Sequence, residues 1–118
     1  MSQISELHPT DIHEELSANR ITLVDVREPK EFANERIPGA LLLPLSTFDP
    51  SAMPVHPDRP VVLYCGSAMR SAKAVSLCLN ASVDVKAHMA GGIKGWKQAG
   101  LKTLKVNPFT GQINLSGG

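Results

Sequence analysis

The chain has 118 residues, a net charge of +1, 42% hydrophobic and 19% charged residues, the composition of one ordinary globular domain. The near-neutral balance argues against the electrostatic footprint of a nucleic-acid or anionic-membrane binder. Two cysteines do not make a disulfide framework, and no apolar run approaches the roughly 20 residues of a membrane helix. The first residues lack a basic segment followed by an apolar one, so no signal peptide is visible and the cytoplasm, where thiols stay reduced, is the expected compartment.

Helix and strand patterns alternate along the chain. Residues 9–16 read as a short helix, with Pro9 in an early position, acids in the first turns, and Ile12 and Leu16 on one face. Asn19 stops it. Residues 21–26 form a β-branched strand, 29–35 a second short helix, 37–39 a turn, and 40–43 a brief buried strand ended by Pro44. Residues 46–60 are proline-rich and weakly periodic, a surface loop with at most one helical turn near 48–53. Residues 61–64 are a continuous apolar run, as expected at the centre of a parallel sheet. The helix that follows carries Ala72, Val75, Cys78 and Leu79 on one stripe. Residues 83–88 read as a strand, Gly91-Gly92 as a turn, and 93–99 as a last helix stopped by Gly100. The domain is drawn over 1–104, with a weakly patterned tail over 105–118 that packs along it or frays. Alternation of this kind predicts a three-layer α/β domain with a mostly parallel sheet, whose ligands sit at the carboxyl ends of strands.

Cys65 stands at that place. It follows the central apolar strand and opens the loop Cys65-Gly-Ser-Ala-Met-Arg70, after which a helix begins near Ser71. Gly66, Ser67 and Ala68 are small enough for the backbone to curl, so that successive N–H groups form an anion-binding nest. The helix adds its positive end, and Arg70 a permanent charge with a planar donor fork suited to oxyanions. A helix N-terminus and a nearby cation both favour the thiolate, the nucleophilic form of cysteine. Cys65 is therefore the candidate nucleophile, and Gly66, Ser67, Ala68, Met69, Arg70 and Ser71 the candidate substrate-binding residues.

From about Ile4 to Leu101 the chain resembles the rhodanese (sulfurtransferase) family. Tyr64-Cys-Gly-Ser-Ala-Met-Arg-Ser71 is similar to its active loop, and Asp25-Val-Arg-Glu-Pro-Lys-Glu-Phe32 to its N-terminal signature. Ile37-Pro-Gly-Ala40 with Pro44-Leu45, and Gly91-Gly-Ile-Lys-Gly-Trp96 with Ala99-Gly-Leu101, match the later ones. The resemblance implies a rhodanese-like fold and transfer of a sulfane sulfur through a Cys65 persulfide. It implies thiosulfate or a persulfide as donor, and a small thiol, cyanide or a protein thiol as acceptor. No cofactor is implied. Phosphatases and arsenate reductases on this fold carry one more residue between cysteine and arginine; the four residues here match the sulfur-transferring members. Gly66 and Ala68 stand where members often have a basic residue and a glycine, which predicts weaker thiosulfate binding and a constrained left-handed turn. Arg36 replaces a histidine common before the Ile-Pro-Gly turn.

The remaining candidates have plainer readings. Cys78 lies on an apolar stripe and packs rather than resolving a persulfide. Asp25, Arg27, Glu28 and Glu31 form ion pairs and turn hydrogen bonds. Ser71 either caps its helix or, like Ser67, donates to the loop. His8, His13, His56 and His88 have no ligand spacing with the cysteines, so no metal site is expected. Trp96 is core, and Met69 an apolar wall at the mouth of the loop. The alternatives to sulfur transfer are a phosphatase or arsenate reductase on the same fold and a non-catalytic interaction module.

Overall fold

The computed structural model describes residues 4–117. The chain runs β1 (Ser5–Leu7), α1 (Pro9–Ser17), β2 (Thr22–Asp25), α2 (Pro29–Asn34), β3 (Glu35–Arg36), β4 (Leu41–Leu42), β5 (Val61–Tyr64), α3 (Met69–Asn80), β6 (Ala87–Met89), α4 (Gly92–Gln98), β7 (Lys102–Val106) and β8 (Ile113–Gly117). Five strands make a parallel sheet in the order β1-β6-β5-β2-β4. All four residues of β5 are buried, as their unbroken apolar run requires of a strand covered on both faces.

Two cores flank this sheet, because successive side chains of a strand point to opposite faces. Val61, Leu63 and Cys65 join Ala74, Val75 and Cys78 of α3 on one face. Val62 and Tyr64 join Ile12 of α1 and Ile93 and Trp96 of α4 on the other. The result is the α/β architecture with a mostly parallel central sheet and flanking helices that the pattern predicted.

Several elements differ from their sequence expectation. The edge strand β1 has no apolar signal; Ser5 N–H reaches the Lys86 carbonyl at 2.7 Å, and pairing with β6 alone defines it. Residues 83–86 are not strand: Val85 is buried and Val83 half-buried, but Val83 N–H goes back to the Cys78 carbonyl at 2.8 Å. The buried stripe of α3 is Ser71, Ala74, Val75 and Cys78, with Ala72 and Leu79 only half-buried. That rotation turns Ser71 inward. Two 3₁₀ turns, Leu45–Thr47 and Pro50–Ala52, replace the single turn near 48–53.

The boundary drawn between 104 and 105 falls inside β7, which pairs antiparallel with β8 and with β3. This hairpin leaves Ile113, Leu115 and Phe109 exposed, so its strands lack the alternation that marks a half-buried sheet. Trp96 is core as read, 2% exposed, and its indole N–H donates to the Lys102 carbonyl at 2.9 Å where the hairpin begins.

Candidate functional site

The end of β5 delivers Cys65 to the carboxyl edge of the sheet, and the chain turns at once into α3. Ala68 makes that turn at φ +91°, left-handed for a residue with a side chain. The curl aims two backbone N–H groups at one atom: Ala68 N lies 3.1 Å and Ser71 N 3.2 Å from Cys65 Sγ. The nest read from the small residues is therefore built around the sulfur itself. Cys65 is 1% exposed, its Sγ held at the positive end of a 12-residue helix.

The other loop residues take distinct places. Gly66 is half-buried, Ser67 exposed, and Met69, the first residue of α3, 81% exposed. Ser71 is the third helical residue rather than the cap, a position that Ala68 holds. Its hydroxyl lies 3.5 Å from Cys65 Sγ, 3.2 Å from the Ala68 carbonyl and 2.8 Å from Nδ1 of His88. Ser71 is fully buried and His88 is 3% exposed. Burial pushes the His88 imidazole below its ordinary range, with the Glu6 carboxylate, 3.7 Å from Nε2, opposing in part.

Arg70 does not point freely into the loop. Its guanidinium grips Glu31 of α2 with two bonds, Nη1 to Oε1 at 2.7 Å and Nη2 to Oε2 at 3.0 Å. This Arg70 hydrogen bond is the main cause that holds the Glu31 carboxyl down to about 2. Glu31 also accepts from Glu28 N–H at 3.0 Å, so the start of α2 positions the carboxylate that positions the arginine. Asp25 and Arg27 form the buried ion pair expected of them, at 2.7 Å, and Arg27 reaches the Glu35 carbonyl at 2.6 Å. They brace the end of β2. Cys78 is fully buried within the α3 core, and burial pushes its thiol up.

A second turn supports the first. Where β6 gives way to α4, Gly91 and Gly92, the first residue of the helix, lie at φ +71° and +61°. A Cβ on Gly92 would stand 2.5 Å from the Cys65 carbonyl oxygen and 2.6 Å from the Gly66 carbonyl carbon. That close approach lets Ile93 N–H donate to the Cys65 carbonyl at 2.8 Å and Lys94 N–H to the Gly66 carbonyl at 3.3 Å. The loop's N–H groups are left facing Sγ while its first carbonyls are held from behind.

Sequence reasoning missed three contributors. Glu31 forms the ion pair and turn hydrogen bond expected of it, but the sequence does not show that its partner is Arg70 of the loop. Gly91-Gly92 reads as a turn and as part of the last family signature, and the pair of glycines also signals the close backbone approach that those readings leave out. His88 was weighed only as a metal ligand; in the alternation Val83, Val85, Ala87 it falls on the polar face, and burial of both faces became visible only when α3 was in place.

Comparisons with known proteins bear on the family and the fold. A model of the rhodanese-like domain matches residues 8–99. An uncharacterised protein of Synechocystis is 42% identical over 98 residues, covering 83% of this chain and 55% of that protein. A protein of Allochromatium vinosum named sulfurtransferase is 36% identical over 81 residues, covering 69% of this chain and 76% of its own. This chain thus spans about half the length of the Synechocystis relative. The crystal structure of a rhodanese-related protein from Thermoplasma volcanium superposes with a TM-score of 0.72 at 24% identity, covering 84% of this chain and 96% of that one. A sheet that ends in a cysteine loop, backed by a glycine turn, is what the matched stretch encodes: the chain belongs to the rhodanese-like domain family.

Proposed function

We propose that the chain is a sulfurtransferase that carries a sulfane sulfur as a persulfide on Cys65. The observation that supports this most directly is the convergence of Ala68 N–H and Ser71 N–H on Cys65 Sγ, at 3.1 and 3.2 Å, inside a loop of four residues between Cys65 and Arg70. A ring this tight suits one bound sulfur better than a phosphoryl group.

In the first half-reaction the Cys65 thiolate attacks the outer sulfur of thiosulfate. A bond forms from Sγ to that sulfur as the bond to the sulfonyl sulfur breaks, and sulfite leaves with the electron pair. Backbone N–H groups aimed where charge resides stabilise such species without reorganisation. In the second half-reaction a thiol or cyanide attacks the terminal sulfur, and Cys65 leaves as thiolate, completing covalent catalysis in two steps. The Arg70 fork, oriented by Glu31, attracts and aligns the anionic donor. A persulfide donor delivers its sulfur by the same displacement.

The test is mass spectrometry after incubation with thiosulfate. One added sulfur on the Cys65 peptide is expected, with adduct and turnover both lost in Cys65→Ser. No adduct from thiosulfate or from a persulfide donor overturns the reading, and aryl phosphate hydrolysis that depends on Cys65 would replace it with a phosphatase.

A further inference from the structure

Behind the sulfur lies a line of polar groups that sulfur transfer by the loop alone does not require. Cys65 Sγ, Ser71 Oγ, His88 Nδ1 and, from His88 Nε2, the Glu6 carboxylate follow one another at 3.5, 2.8 and 3.7 Å. The first three residues are buried among apolar neighbours, whereas the Glu6 side chain is 59% exposed. Register explains the alignment: Glu6, His88 and Leu63 are partners across β1, β6 and β5, so they share the face on which α3 packs. Nδ1 meets the Ser71 hydroxyl at hydrogen-bond distance, and Nε2 faces the Glu6 carboxylate at ion-pair range.

We propose that His88 is a positioning and proton-accepting residue that withdraws the Cys65 proton through the Ser71 hydroxyl, with Glu6 joining the buried ring to solvent. The inference rests on the sulfurtransferase reading for what the resulting thiolate attacks. The transfer balances as follows: the Cys65 S–H bond breaks as its proton passes to Ser71 Oγ. The Ser71 hydroxyl proton passes to Nδ1, leaving a thiolate and an imidazolium with no change in oxidation state. The Ala68 carbonyl also lies within reach of the hydroxyl at 3.2 Å, and the shorter contact, 2.8 Å to Nδ1, is the one the relay uses. Around the ring, β1 presents Glu6, α3 presents Ser71 and β5 presents uncharged Leu63. Burial favours the neutral imidazole, the form able to accept, and the Glu6 carboxylate facing Nε2 favours the imidazolium once the proton arrives.

The experiment follows alkylation of Cys65 by iodoacetamide against pH, read on the Cys65 peptide, in the wild type and in His88→Asn. Asparagine can keep a hydrogen bond to Ser71 but cannot take its proton. Expected is a fall on the order of tenfold in rate at pH 7, with the rise in reactivity displaced to higher pH. An unchanged profile in His88→Asn overturns the proposal, because a purely structural role survives that substitution. Should the variant not fold, nitrogen NMR of His88 in the wild type decides. Its titration midpoint is expected to fall once Cys65 is alkylated and no thiolate remains nearby, and an unmoved midpoint overturns the relay. Neither readout involves sulfur transfer. A chain that loads sulfur yet alkylates identically in His88→Asn loses the relay alone, and one that shows the relay but loads no sulfur loses only the sulfurtransferase reading.

Discussion

Two strand-to-helix turns lie side by side at the carboxyl edge of the sheet, and they solve opposite problems. The turn from β5 into α3 collects N–H groups around Cys65 Sγ. The turn from β6 into α4 gives its N–H groups to the carbonyls of the first, from Ile93 and Lys94 to Cys65 and Gly66. Both need left-handed backbone, yet the first uses Ala68 at φ +91° and the second Gly91 and Gly92. The difference follows from contact. Ala68 has room for its side chain and bears only the conformational cost, whereas Gly92 lies against backbone atoms that cannot move aside. The Cys65 loop thus owes part of its shape to a neighbour that never touches the sulfur.

The largest test of this pairing is Gly92→Ala. A Cβ placed 2.5 Å from the Cys65 carbonyl oxygen, on a residue at φ +61°, must displace one turn from the other. A loss of about 3 kcal/mol in urea unfolding is expected from overpacking and backbone strain together. Sulfur loading of Cys65 should fall with it, and a variant as stable and as readily loaded as the wild type would show that the second turn does not brace the first.

A smaller effect is expected at the ion pair that holds Arg70. Glu31→Gln removes a charge-assisted contact between half-exposed groups, so the loss at pH 7 is about 0.5–1 kcal/mol after solvent screening. Its pH dependence is diagnostic. The Glu31 carboxyl is lowered from 4.5 to about 2 on folding, so its contribution is fully present above 4.5 and disappears as the pH falls towards 2. Unfolding curves of wild type and variant should therefore converge over that interval; a gap that stays constant would sever the Arg70–Glu31 link.

The smallest expected effect is a gain. Ala68→Gly relieves a left-handed alanine, worth roughly 1–2 kcal/mol, against the roughly 0.5–1 kcal/mol that glycine adds in unfolded-state entropy. A net stabilisation of about 0.5 kcal/mol is expected by chemical denaturation. Destabilisation would mean that the alanine methyl contributes packing to the loop, and the contrast between the two turns would narrow.

Much of the fold was legible because local signals agreed. The β5 run, the small-residue loop after it and the periodic helices each announced themselves within a few residues, and the order of elements then left one parallel architecture. The hairpin of β7 and β8 was not legible, since exposed strands such as Ile113–Gly117 carry no alternation and hold together by pairing. The stripe of α3 was misplaced by a fraction of a turn, enough to hide that Ser71, and not Ala72, faces the core.

At the site, the sequence by itself determined what is contiguous: the place of Cys65 at the end of β5, the curl over Gly66 to Ala68, and the helix that follows. These depend on bond geometry and residue size over a handful of positions. Only the tertiary structure decided what comes from afar. Glu31 on α2 holds Arg70 across 39 positions of chain, and the Ser71 hydroxyl meets His88 across 17. Gly92 backs the Cys65 carbonyl from another strand's end. Hydrogen bonds and close packing act over a few ångströms in space, and the sheet order that brings β6 beside β5 sets those distances.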